Sequence, residues 1–203
     1  MIRPFGEAAL LVELESSDLA QALAASLRED PPPGMVASVP GLASLLVELD
    51  PLFGDPEHVS MDLEGRLAGL RPLRPPRPQL HTIPVTYDGP DLDAVAELTG
   101  LTASEVVGRH ASAELHVLFC GFAPGFAYLG DLPSELRVDR LATPRTRTPA
   151  GSVAIAGSMT GIYPADLPGG WRIIGRTEVT LFDPSSDHPA LLEPGDRVRF
   201  EPA

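Results

Sequence analysis

The chain has 203 residues, room for one large domain or two small ones, and 28 acidic against 15 basic side chains leave a net charge of −13. All 15 basic residues are arginine, and neither lysine nor asparagine occurs anywhere. That composition excludes a P-loop lysine, a Schiff-base lysine, a biotin-bearing lysine and N-glycosylation, and the acidic balance argues against nucleic acid or an anionic membrane as partner. Cys120 is the single cysteine, so neither an intrachain disulfide nor a thiolate zinc cluster can form. Glu7 and Glu13 come too early for a secretory signal. The uncharged run from Val117 to Gly130 is short and broken by Gly121, Pro124 and Gly125, so it does not span a bilayer. A cytoplasmic protein is expected.

Residues 1–70 read as a compact α/β unit. Ala9–Val12 is a short apolar strand, and Leu19, Leu23 and Leu27 form one stripe of a helix over Asp18–Arg28. Met35–Val39 and Leu45–Leu49 read as strands flanking Pro40-Gly41. Asp55-Pro56-Glu57 opens a helix with an Asp cap, Pro at the first position and an acid in the first turn, running to about Leu70. The order β-α-β-β-α predicts a split βαβ sandwich whose fourth strand is expected near His81–Thr86. Its 12 acids against 3 arginines make this half a strongly negative, solvated surface.

Arg71 to Pro78 places four prolines in eight residues, and residues 71–80 are expected to be an extended interdomain connector. Asp91 then caps a short helix that Gly100 ends. Thr102-Ala-Ser-Glu105 is a capping box for a second helix to about His110. From Leu115 onward, His116–Phe119, Val153–Ala156, Trp171–Ile174, Val179–Phe182 and Arg197–Phe200 are short apolar runs separated by Gly and Pro. That pattern predicts a β-barrel or sandwich with long, ordered loops over 81–203.

No self-contained catalytic constellation stands in the sequence. Ser158 sits one place too early in Gly157–Gly161 for a nucleophile elbow. His110 and His116 are poorly spaced for a shared metal, so no metal is expected. Cys120, at the end of an apolar strand, reads as a small core filler. Between Gly121 and Thr177, however, nine glycines and six prolines accompany Arg145, Arg147, Arg172 and Arg176. Loop glycines let a backbone approach a ligand and leave N–H groups free, and arginines offer planar forks to a carboxylate or phosphate. Phe126, Tyr128, Tyr163 and Trp171 are suited to wall a pocket or fill an interface.

Five blocks within this region and just beyond it carry a resemblance: Phe119 to Gly130 (FCGFAPGFAYLG), Thr143 to Gly157 (TPRTRTPAGSVAIAG), Thr160 to Pro164 (TGIYP), Pro168 to Thr177 (PGGWRIIGRT) and Leu181 to Pro184 (LFDP). In order and spacing they resemble the allophanate hydrolase subunit 1 family, of the carboxyltransferase-domain type with subdomains C and D. Its members include the B-type subunit of 5-oxoprolinase (PxpB) and the kinase inhibitor KipI. Gly6–Leu14 and Ser44–Asp50 resemble the family's amino-terminal half. Thr148 departs from the pattern, standing where an aliphatic residue is more usual, and the loop at Tyr87–Asp91 is short.

The resemblance implies an α+β protein, a small ferredoxin-like domain over 1–70 followed by a cyclophilin-like β-barrel over 81–203. It also implies a larger partner of the allophanate hydrolase subunit 2 kind, equivalent to the C-type subunit of 5-oxoprolinase. A third protein, like the A-type subunit of 5-oxoprolinase, would contribute ATP-dependent activation. ATP is then expected on a partner, with no cofactor held by this chain. The first expected function is therefore one subunit of an ATP-dependent 5-oxoprolinase, inactive alone. Arg145 and Arg176 are the expected anion clamps, with Ser152 as a hydroxyl donor. Substrate contacts are expected from Phe126, Tyr128, Gly151, Thr160, Gly161, Tyr163, Gly170 and Trp171. A KipI-like inhibitor gripping a sensor histidine kinase is the alternative, and a subunit of an allophanate or urea carboxyl-transfer or amide hydrolase complex the third.

Overall fold

The computed structural model describes residues 1–72 and 78–203. The chain divides into two compact units, residues 1–76 and 77–203. The middle of the expected connector, residues 73–77, lies outside the described residues.

The first unit contains β1 (Ile2–Pro4), β2 (Ala9–Glu13), α1 (Ser17–Glu29), β3 (Met35–Pro40), β4 (Ser44–Leu49) and α2 (Pro56–Gly69). Its sheet is antiparallel throughout, in the order β1-β2-β4-β3. Strand alternation turns Leu10 and Val12 of β2 and Leu45, Val47 and Leu49 of β4 inward, where they meet Leu23 and Leu27 of α1 and Val59 and Leu63 of α2. Ser16 caps α1 by accepting the Leu19 N–H at 3.3 Å. Asp55 caps α2 by accepting from Glu57 and His58 at 3.0 and 3.2 Å. Arg66 then clamps the helices together. It pairs with Asp62 at 2.6 Å and donates to the Ser26 hydroxyl at 2.8 Å and the Asp30 carbonyl at 2.7 Å.

This sheet corrects one expectation. The fourth strand of the sandwich is Ile2–Pro4, folded back on β2 in a hairpin, and not the segment near His81. The cause is visible in the burial of the other candidate. Ile83 and Val85 are inward-facing in the second unit, among Val198, Phe200 and Leu115, a core that the first unit does not provide.

The second unit opens with β5 (Leu80–Val85), α3 (Leu92–Thr99), α4 (Ala103–Ser112), β6 (Leu115–Cys120) and β7 (Ala127–Gly130). It continues with β8 (Arg145–Thr148), β9 (Ser152–Ala156), β10 (Met159–Ile162), β11 (Leu167–Gly169), β12 (Arg172–Arg176) and β13 (Arg197–Pro202). Seven strands form one sheet in the order β12-β9-β10-β7-β6-β13-β5, antiparallel except for β13 against β5. Its two edges meet at Thr86 and Arg176, each donating its N–H to the other's carbonyl at 2.9 Å, so the sheet curls into a barrel. Strands β8 and β11 pair separately as a small ribbon. The Thr102–Glu105 capping box forms as expected. Val179–Phe182, expected as a strand, makes only an isolated bridge from Phe182 to Ala190. Its apolar residues mark packing instead: Leu181 is buried and Val179 half-buried against the barrel core.

Candidate functional site

Five rings converge beside the β9–β10–β12 face of the barrel. Phe126 lies at the centre, edge-on to Phe122, Tyr128, Tyr163 and Trp171 at centroid distances of 5.5, 4.9, 5.4 and 5.8 Å. Edge-to-face packing at such spacing is the favoured arrangement for aromatic quadrupoles. Tyr128 is held from behind by Phe119, stacked at 4.2 Å. The backbone accommodates this cluster closely. A side chain at residue 169 would occupy the space of the Tyr163 hydroxyl, so only glycine fits there.

The cluster walls a cavity of about 290 Å³ lined by Phe122, Phe126, Tyr128, Arg140, Pro144, Tyr163, Pro168, Gly169, Gly170 and Trp171. Phe122 stands at this cavity with φ at +71°, a left-handed backbone rare for a bulky residue, and is 57% exposed. Such a conformation costs on the order of 1–3 kcal/mol and collects at functional sites. Burial raises the phenol pKa of both Tyr128 and Tyr163, while the positive charge of Arg140 pulls the other way at each. Both hydroxyls are therefore protonated, neutral donors at physiological pH.

A second, polar cleft of about 380 Å³ is lined by Ala150, Gly151, Tyr163, Pro164, Arg176, Thr177, Glu178, Val179 and Thr180. Gly151 adopts φ +78°, donates its N–H to Tyr163 O at 2.7 Å and accepts from Thr177 N at 2.9 Å. Its own N–H is thus spent within the fold. Arg176 already carries two acids, Asp88 at 3.0 Å and Glu178 at 3.7 Å.

The expected site residues therefore separate. Phe126, Tyr128, Tyr163, Gly170 and Trp171 come together in the aromatic cavity. Gly151 and Arg176 meet in the polar cleft, and Tyr163 is a wall of both. Gly161 lies behind the wall, against Phe126 and Trp171. Thr160 is fully buried, donating to the Ala154 carbonyl at 3.0 Å. Having one hydrogen, its hydroxyl accepts from His110 Nε2 at 3.0 Å, which leaves His110 Nδ1 to accept from the Tyr87 hydroxyl at 2.8 Å. Ser152 is buried at the start of β9, its carbonyl taken by the Tyr163 N–H at 3.0 Å. Arg145 lines neither space. Its guanidinium pairs with Asp91 at 2.6 Å, and the other Asp91 oxygen accepts the Ile173 N–H at 2.7 Å. Cys120, with a thiol pushed up to about 11 chiefly by burial, is no thiolate nucleophile.

Five cavity residues, Phe122, Arg140, Pro144, Pro168 and Gly169, have no counterpart among the sequence expectations. Phe122 lies inside the first quoted block, between the rings at 119 and 126, and its ring chemistry is the available signal. Arg140 has no local pattern to mark it, because its place depends on contacts with remote strands.

The profile of the family "Carboxyltransferase domain, subdomain C and D" matches residues 1–192. The chain belongs to that carboxyltransferase-domain family. A relative from Escherichia coli O157:H7, named as the B-type subunit of 5-oxoprolinase, is 44% identical over 176 residues, covering 84% of this chain and 79% of the relative. Among solved structures, TTHA0988 superposes with a TM-score of 0.82 at 37% identity, over 100% of this chain and 40% of that one. K. lactis urea amidolyase superposes with a TM-score of 0.84 at 23% identity, over 100% of this chain and 15% of that one, a likeness of fold. The carboxyltransferase-domain fold thus occurs here in a chain that spans less than half the length of those two solved proteins.

Proposed function

We propose that this chain is the non-ATP-binding subunit of an ATP-dependent 5-oxoprolinase, opening the lactam of 5-oxoproline to glutamate beside a larger homologous subunit. One observation carries the reading: 44% identity across 84% of the chain to a protein named as the B-type subunit of 5-oxoprolinase. The geometry is compatible with a lactam. A flat five-membered ring suits a cavity walled by Phe126, Tyr128, Tyr163 and Trp171, and neutral phenols supply hydrogen-bond donors to an amide oxygen. Opening the ring adds water across the C–N bond and places negative charge on the former carbonyl oxygen, which fixed donors in a dry site stabilise.

Within this reading Arg176 remains the proposed anion clamp of the polar cleft, beside Gly151. Arg145, paired with Asp91, and the buried Ser152 line neither space and are assigned structural roles. The nucleotide is assigned to another subunit, in keeping with a chain that has no lysine for a phosphate loop.

The test is co-expression with the larger subunit and the lactam-activating protein, followed by measurement of 5-oxoproline-dependent ATP hydrolysis and glutamate release. Turnover that requires this chain is expected. A stable complex that leaves 5-oxoproline untouched overturns the substrate, and glutamate release at full rate without this chain overturns the subunit role.

A further inference from the structure

Of the ten residues lining the aromatic cavity, Arg140 alone is charged. Its charge is also unspent. Arg145 is paired with Asp91, Arg147 with Asp166, and Arg176 with Asp88 and Glu178, whereas no carboxylate among the described residues lies within ion-pair distance of Arg140. The guanidinium carbon lies 6.0 Å from the centre of the Trp171 ring, at the outer reach of a cation–π contact, so it is a neighbour of the wall and not stacked down onto it.

Arg140 is exposed, yet its backbone is held from three directions. The Val138 carbonyl accepts the Gly157 N–H at 2.7 Å. The Asp139 carbonyl accepts Arg172 Nε at 3.0 Å. The Leu141 N–H donates to Gly170 O at 2.7 Å. Gly170 and Trp171, which border the third and second of these anchors, are themselves cavity lining. The segment is thus pinned on both sides of residue 140 while the side chain keeps its donors for a ligand. Its positive charge acts on the Tyr128 and Tyr163 phenols, lowering their pKa against the larger raising effect of burial.

We infer that Arg140 is the carboxylate-reading residue of the aromatic cavity, which takes a small flat ring bearing one carboxylate: the ring against the wall formed by Tyr128, Phe126 and Trp171, the carboxylate on the guanidinium fork. This deepens the oxoprolinase reading and rests on it for the identity of the ring. An arginine fork binds a carboxylate through two parallel N–H···O bonds, which sets orientation as well as affinity. With the carboxylate fixed at the mouth, a lactam amide is turned toward the interior of the cavity, where Tyr163 stands.

Trp171 is the only tryptophan of the chain and lines the cavity, so its fluorescence reports occupancy without labels. The full-length chain, alone and in the assembled complex, is titrated with 5-oxoproline, with cyclopentanecarboxylate and with 2-pyrrolidinone. Both carboxylates are expected to change Trp171 emission saturably, with 2-pyrrolidinone at least about tenfold weaker. Arg140→Gln is expected to weaken both carboxylates by about 10- to 100-fold, the worth of a charge-assisted hydrogen-bonded pair, and to leave 2-pyrrolidinone unchanged. Arg140→Lys, which keeps the charge and loses the fork, recovers part of the affinity. Unaltered thermal unfolding of both variants confirms that the fold is intact.

Equal affinity of wild type and Arg140→Gln for the carboxylates overturns the assignment. So does equal binding of 2-pyrrolidinone and 5-oxoproline, or an absence of saturable response to all three compounds in both forms. Failure of the two readings is distinguishable. Carboxylate binding that depends on Arg140, in a complex that does not turn over 5-oxoproline, removes the oxoprolinase reading and keeps Arg140. Turnover of 5-oxoproline with the same KM in Arg140→Gln removes Arg140 and keeps the oxoprolinase.

Discussion

His110 shows how far a single buried residue can be specified by its neighbours. Its ring stacks on Phe200 at 4.6 Å and meets Tyr87 edge-on at 5.7 Å, with both nitrogens satisfied by Tyr87 and Thr160. Full burial lowers its pKa to about 3, against 6.5 for the free side chain. The unfolded chain therefore takes up a proton at this residue between those values while the folded chain does not. Stability from His110 is whole above about pH 6.5 and falls as pH drops toward 3, with a slope of at most about 1.4 kcal/mol per pH unit. Urea unfolding at pH 7, 6, 5 and 4 checks this. The expected midpoint declines with acid, and in His110→Gln, weaker at neutral pH, the decline is shallower. Parallel profiles for the two proteins would show that other groups set the acid sensitivity. From sequence, His110 reads as one of two histidines poorly placed for a metal. Its bridge between Tyr87 and Thr160 has no signal there, because Thr160 lies 50 positions away.

At the scale of elements, local rules carry furthest where the signal is local. Asp55-Pro56 and the Thr102–Glu105 box begin α2 and α4 where the sequence places them, because a cap satisfies donors only two or three residues on. Asp91 shows the limit. It precedes α3 as expected, but its side chain makes no cap bond and goes instead to Arg145 and to the Ile173 N–H of β12. A partner 54 or 82 residues away is invisible to a helix-start rule. Remote pairing likewise draws Leu80–Val85 to β13, leaving the fourth place in the small sheet to the local hairpin strand Ile2–Pro4, and it engages Arg145 with Asp91. Arg145→Met is accordingly expected to cost about 1.5–3 kcal/mol of stability, leaving an uncompensated carboxylate at Asp91. The KM for 5-oxoproline in the assembled complex should stay at the wild-type value. A raised KM at unchanged melting temperature would return Arg145 to the substrate.

For the whole molecule, function is read most plainly from the blocks between Phe119 and Thr177. Gly-rich loops gather Phe126, Tyr128, Tyr163, Gly170 and Trp171 into one cavity although they derive from separate strands and turns. The barrel class is legible in the spacing of short apolar runs, and its closure is not, since it depends on hydrogen bonds from Thr86, Gly89 and Asp91 to the remote strand β12. Thr160 and Gly161 are drawn toward the site by belonging to the same blocks; strand alternation and close packing place them behind its wall. What the blocks do share is a wall of rings next to one unpaired guanidinium, and the central claim is that this cavity receives the lactam. Phe122 tests it most directly, because it lies at the cavity and is largely exposed, so Phe122→Ala alters the cavity with little effect on the core. The measurement is glutamate release from 5-oxoproline by the assembled complex carrying that variant. A KM raised by about 3- to 10-fold is expected, the loss of part of a phenyl ring's apolar contact, with thermal unfolding unchanged. Wild-type KM in the variant would contradict it and place the substrate elsewhere.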